Sequence, residues 1–200
     1  MSFSYYEIYI TSLRAFSGMG FPYGADEDAA YMTTWLELYK LGGIHKLASL
    51  SNILDNKYNA KFDLKKVRST TSINLYNTSL LMKGPGLFDY LFQKTKKNNV
   101  TEIVLDNCID PIYIIPLAQK YSDKLEIINA CWINDQNKKI GVNISKKQIA
   151  IGQLKTNKEL TNKQVLLQFI KKNDKSLEIK KLKLLNIQYQ INNTVKQQHL

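Results

Sequence analysis

The stretch Lys124–Gln153, KLEIINACWINDQNKKIGVNISKKQIAIGQ, decides the fold. Three runs, KLEIINACWI, KKIGVNIS and QIAIGQ, are rich in Ile, Val and other strand-forming residues, and only NDQN and KK separate them. Short β-prone segments joined by tight polar links read as an antiparallel meander. Upstream, VTEIVLDN at 100–107 reads as a further strand. Asp110-Pro111 is a helix start signal, with Asp as N-cap and Pro at the first helical position. Pro116 within the following IYIIPLAQKY removes a backbone donor and should kink or shorten that helix. GPG at 84–86 reads as a turn that launches LFDYLFQKTKKN, and the polar residues 55–80 read as a connector with one strand. Downstream, TNKQ at 161–164 fits a capping box before VLLQFIKK, although that run suits a strand equally well. LNIQYQI at 185–191 alternates like a strand, while Leu182, Leu185 and Tyr189 suit a helix.

The first 55 residues have a different period. Tyr5, Ile8, Tyr9, Leu13 and Phe16 form one apolar stripe at helical spacing. SGMGFPYG breaks that helix. Ala25, Ala29, Met32, Leu36 and Tyr39 form the stripe of a second helix, which Gly42-Gly43 stops. Ile44, Leu47, Ala48, Ser51 and Leu54 form that of a third. The expected fold class is therefore α+β: an N-terminal three-helix lobe over 1–55, then a mainly antiparallel sheet with two or three helices over 56–200. The two parts are also compatible with one compact domain.

The chain has 200 residues, 44% of them hydrophobic, which favours a packed core over disorder. No apolar run approaches the roughly 20 residues of a membrane span. The opening MSFSYYEIYITSLRAF lacks a basic region ahead of an apolar core, so no signal peptide is read and a cytoplasmic setting is expected. Cys108 and Cys131 are too few and too far apart for a disulfide framework or a zinc site, and read as small buried hydrophobes. The net charge of +11 is uneven: residues 1–55 hold three basic against six acidic residues. Yet only Arg14 and Arg68 are arginine, and phosphate clamping and base readout favour the guanidinium fork. Lysine, like the abundant Asn and Ile, also has AT-rich codons. Nucleic-acid binding through the lysine-rich C-terminal part is thus a disfavoured alternative.

Few residues are equipped for chemistry. No phosphate-binding loop, dinucleotide fingerprint or zinc-protease motif is present. His45 is the one histidine away from the C-terminus, and as a general base it needs an orienting carboxylate. Asp26, Glu27 and Asp28 are explained as first-turn acids of the second helix. They point about 100° apart, so a three-acid metal cluster is not expected. Glu27 remains of interest because Glu7 and Arg14 share a face of the first helix, where Arg14 could supply a counter-charge.

The segment EIYITSLRAFSGMGFPYGADEDAAYMTTWLELYKLGGIHKL resembles the opening of a bacterial family of unknown function. That family has a Glu-Ile helix, a basic-residue-Gly-x-Gly turn, an acidic helix start and a Trp-Leu-Glu helix ending in glycine. Here Glu7, Arg14, Gly18, Gly20, Gly24, Glu27, Trp35, Leu36 and Gly43 match. GLFDYL and DPIYIIPLAQKY extend the likeness to about two thirds of the chain. The tail INNTVKQQHL departs from the expected Gly/Ala/Asp-rich ending. The resemblance implies relatives and no reaction. A second, weaker likeness joins GADEDAAYMTTWLELYKLGGIHKL to the N-terminal helices of the type-2 malate/lactate dehydrogenases. Ile44-His45-Lys46 stands where those enzymes carry a catalytic Ser-His-Gly, and the chain is short for their cofactor-binding body.

The expected function is therefore binding of a small metabolite or a partner enzyme at the junction of the helical lobe and the sheet. Glu7, Arg14 and Glu27 would form its polar centre, with Trp35 as a wall and His45 nearby. The enzymatic alternative uses Glu27 or His45 as base. No metal or cofactor is expected, and a homo-oligomer is compatible with the sequence.

Overall fold

The computed structural model describes residues 3–67, 70–146, 148–154, 160–171 and 184–185. The three N-terminal helices form where expected, as α1 (Tyr5–Gly18), α2 (Ala25–Leu38) and α3 (Gly43–Leu54), although Ile44 and Ala48 of the α3 stripe are exposed and Leu50 is buried instead. Ser4 starts α1 with a capping box, its side chain accepting from the Glu7 N–H while the Glu7 carboxylate accepts from the Ser4 N–H at 2.8 Å. Helix α2 is buried on more than its expected stripe, because Ala30, Thr33, Thr34 and Trp35 are buried beside Ala29, Met32 and Leu36. The reason is its central position, since both α1 and α3 and the later helices pack against it. At Gly43 the backbones of α2 and α3 nearly touch. A Cβ there would lie 2.0 Å from the Thr33 carbonyl oxygen, so only glycine permits this approach.

Eight strands follow among the described residues: β1 (Asp63–Val67), β2 (Thr70–Asn74), β3 (Val100–Asp106), β4 (Ile127–Ile133), β5 (Lys139–Ile144), β6 (Ile149–Leu154), β7 (Val165–Ile170) and β8 (Leu184–Leu185). They form one sheet in the order β1-β2-β3-β7-β4-β5-β6-β8. All neighbouring pairs are antiparallel except β2 with β3. The α+β class and the β4-β5-β6 meander thus form as read from the sequence. The supposed connector 55–80 holds a β1-β2 hairpin instead of a single strand. The 165–170 run is a strand between β3 and β4. The local bond expected of TNKQ does exist, from the Thr161 N–H to Gln164 Oε1 at 3.0 Å, but it closes a turn. Of the ambiguous 185–191 run, only Leu185 lies within the described residues.

Two helices cover one face of the sheet. Helix α4 (Leu80–Asn98) runs straight through GPG, with Pro85 inside it, where the sequence suggested a turn. The Ser79 cap and the apolar face of Leu80, Leu81, Leu87, Phe88, Leu91 and Phe92 outweigh the breaker residues. Phe88 meets Phe169 of β7 edge-on at 5.2 Å between ring centroids. Helix α5 (Ile114–Tyr121) follows a single 3-10 turn at Pro111–Tyr113. Pro116 therefore lies in the first turn of α5, where backbone N–H groups have no intrahelical partner, and no hydrogen bond is lost. One continuous apolar core runs from Phe16 through α2, α4 and α5 to Phe169, joining helices and sheet.

Candidate functional site

The structure gathers its polar side chains at one end of the sheet. Strands β3 and β4 end there and the antiparallel β7 begins there. Three irregular segments therefore converge: the loop Asn107–Asp110, the turn Asn134–Lys138, and Asn162–Gln164 leading into β7. Local chemistry fixes each one. Asn107 and Asn137 take positive φ, which Asn tolerates well. Asn134 Oδ1 accepts from the N–H groups of Gln136 and Lys138 at 3.1 and 2.9 Å. Gln164 Nε2 donates to Asp106 at 2.8 Å, and the Cys108 N–H donates to the Lys163 carbonyl at 2.9 Å.

Across from these segments, α3 presents Lys46, Ser49 and Leu50, three and four residues apart and hence on one face. Between them lies a cavity of about 670 Å³. Its polar lining includes Lys46, Asp110, Asn134, Asp135 and Lys163, and Trp132, Ile140 and Ile151 contribute apolar wall. The cavity thus spans the junction of the N-terminal helices and the sheet.

Asp110 is the unusual group. Only 7% of it is exposed. It does not cap the 3-10 turn that follows it in sequence. Its carboxylate instead reaches the N-terminus of α4, accepting from the Leu80 N–H at 2.9 Å and from the Ser79 hydroxyl. Ser79 Oγ in turn accepts from the Leu81 N–H at 3.0 Å. A start signal legible as local therefore serves a helix thirty residues earlier. Burial raises the Asp110 pKa to about 7, against the opposing pull of Leu80, Ser79 and the charge of Lys46. Cys108, on the same wall, is pushed well above the usual thiol range, by burial first and then by the Asp110 charge. That environment disfavours a thiolate nucleophile. Burial likewise raises the phenol pKa of Tyr113, whose hydroxyl faces Thr33 without a hydrogen bond in good geometry.

The residues singled out in the sequence lie elsewhere. Glu7 is exposed and engaged in its capping box. Arg14 and Glu27 are exposed, and Arg14 has no ion pair to either glutamate. Among the three acids it is Asp26 that is buried, accepting from Ser17 Oγ at 2.6 Å and from the N–H groups of Gly24 and Glu27. Asp28 pairs with Lys120 at 2.7 Å. Trp35 is a buried packing residue against Tyr39, with ring centroids 4.2 Å apart. His45 is exposed, and its neighbour Lys46 faces the cavity. None of Glu7, Arg14, Glu27, Trp35 and His45 lines this cavity. Glu7, Arg14, Glu27 and His45 sit on exposed helix faces, and Trp35 sits in the core. Sequence reasoning passed over Lys46, although the Lys46-Ser49-Leu50 spacing is a visible signal, and read Asp110 only as a helix cap. Among the described residues no group of three or more His, Cys, Asp or Glu could hold a metal ion. No described helix is long and apolar enough to cross a membrane.

Several solved structures share the fold. The chain is similar to a dehydrogenase from Sinorhizobium meliloti (TM-score 0.63, 12% identity, covering 85% of this chain and 79% of that one). It is similar to sulfolactate dehydrogenase from Methanocaldococcus jannaschii (0.55, 16%, 80% and 52%). It is also similar to malate dehydrogenase from Pyrococcus horikoshii (0.55, 12%, 76% and 50%). At these identities the likeness is one of fold, and the chain spans about half the length of the latter two enzymes. Among curated proteins there is no sequence match. The resemblance read from the opening residues does have a counterpart: residues 3–75 match the model of DUF3726, a protein family of unknown function.

Proposed function

We propose that the chain binds a small organic acid in the cavity between α3 and the end of the sheet, with Lys46 pairing to its carboxylate and Asp110 contributing a hydrogen bond. The observation that carries this reading is one juxtaposition. A carboxyl group that is almost wholly buried shares the wall of a cavity of about 670 Å³ with a lysine of the facing helix. That volume suits a small molecule, since ligand sites commonly span about 300–1,000 Å³. With its pKa raised to about 7, Asp110 is substantially protonated near neutrality. The wall then carries Lys46 and Lys163 against Asp135 alone, a balance that favours an anion. A protonated carboxyl also offers an O–H donor that an ionised one lacks. Trp132, Ile140 and Ile151 supply apolar surface for the carbon skeleton. Two of the enzymes sharing the fold are named for sulfolactate and malate, which are organic acids of the same class. Two buried cysteines suit a reducing cytoplasm as the place of this role.

Thermal unfolding in the presence of malate and related dicarboxylates tests the reading, because a ligand of the native state raises the melting temperature by mass action. The expected result is a concentration-dependent rise in the wild type. It should be lost in Lys46→Met, retained in Arg14→Met, and larger below pH 7 than above it. A full rise in Lys46→Met, or no rise with any carboxylate, overturns the reading.

A further inference from the structure

Lys83, in the first turns of α4, is one of the largest fully buried side chains, with 2% of its surface exposed. Lysine is almost never buried so deeply without a counter-charge. Here the Nζ donates to the Leu75 carbonyl at 3.2 Å, and it makes no ion pair among the described residues. Its roof is the ring of Tyr76, whose centroid is 5.3 Å from Nζ and which is itself 50% exposed. The amine therefore lies one side chain below the surface. That roof sits on an unusual backbone: Tyr76 and Asn77 both have positive φ, at 55° and 54°, in the turn after β2. A tyrosine in that region is rare and marks a strained position. The Tyr76 hydroxyl is held by Asp63 at 2.5 Å, so the carboxylate whose charge reaches the amine is engaged by the roof.

We infer that Lys83 is a reactive amine site that captures small aldehydes or 2-oxo acids as imines, with Tyr76 as its movable cover. The Nζ lone pair attacks the carbonyl carbon, the C=O π pair moves to oxygen, and one nitrogen proton passes to that oxygen to give a hydroxyl. The second nitrogen proton then leaves with the hydroxyl as water, breaking the C–O bond as the nitrogen lone pair forms the C=N bond. No oxidant or reductant enters, and hydrolysis reverses the step. The nucleophile must be neutral, and desolvated lysines are activated in this way. Burial lowers the Lys83 pKa, with Asp63 opposing it. The site lies apart from the cavity above and does not depend on that reading.

Reductive trapping tests the inference in the intact protein. Native chain is treated with glyoxylate and a hydride donor at neutral pH, and the labelled lysines are mapped by mass spectrometry. Lys83 should be modified despite its burial. Tyr76→Ala should raise its labelling severalfold and leave exposed lysines such as Lys40 and Lys57 unchanged, with circular dichroism confirming the fold. Lys83→Met should lose that one adduct. If Lys83 stays unmodified in both folded wild type and Tyr76→Ala, and labels only after denaturation, the inference is overturned. Equal Lys83 labelling in the two proteins also overturns it, because the cover is part of the claim.

Discussion

The acidic start of α2 and the Asn107–Asp110 loop make opposite use of their carboxylates. At the start of α2 three consecutive acids are conspicuous in the sequence, yet none of them lines the cavity. Asp26 ties down its own turn, Asp28 meets Lys120, and Glu27 faces solvent. In the loop after β3 a single aspartate, ordinary in the sequence, is carried by the fold into a buried wall and onto the end of a distant helix. Asp26 and Asp110 are equally buried, each 7% exposed. What separates the two regions is the cavity, which Asp110 lines and none of the three α2 acids does.

The largest expected effect concerns the joint that holds the two regions in register. Gly43→Ala drives a Cβ into the Thr33 backbone, which cannot rotate away as a side chain could. The cost should be on the order of 3 kcal/mol, the upper part of the usual overpacking range. A chemical denaturation midpoint measures it. If α3 moves off α2 to relieve the clash, Lys46 leaves the cavity wall and carboxylate binding weakens as well.

The pH dependence of stability should report on Asp110. The Asp110 pKa is raised in the folded state to about 7, from an ordinary value of 3.8. Between those values the native state holds a proton that the unfolded state has released. Asp110 therefore lowers stability as pH rises from about 4 to 7, with little further change above. Asp110→Asn should flatten that part of the stability profile while still accepting from the Leu80 N–H. Persistence of the full slope in Asp110→Asn would show that its carboxyl is ionised throughout.

Smallest of all should be the effect of Glu27→Gln. An exposed residue without a structural partner changes stability by no more than about 0.5 kcal/mol, and the response to carboxylates should match that of wild type. A loss of binding in Glu27→Gln would return the site to the α2 start.

Most of the fold was legible because it depends on local period. The stripes of α1 and α2, the β4-β5-β6 meander and strand β3 all follow from side-chain spacing alone. The misreadings share one cause, tertiary contact overriding a local rule. GPG stays helical because Phe88, Leu91 and Phe92 bury that helix against the sheet. Asp110 leaves its own turn because the N-terminus of α4 offers it two donors. The junction of helices and sheet could be anticipated as the location of a site, but its residues could not. Lys46 and Asp110 are 64 positions apart, and nothing short of the folded chain brings them to one wall. His45, singled out by its scarcity, points outward from the helix whose next residue faces the cavity.

An amide-resolved NMR titration with malate tests the central claim most directly. Perturbed signals should cluster at Lys46, Ser49, Cys108–Tyr113 and Asn134–Asn137, with Glu7, Arg14 and Glu27 unmoved. Shifts centred on Glu7, Arg14 and Glu27, or none at saturating malate, would contradict a carboxylate site at Lys46 and Asp110.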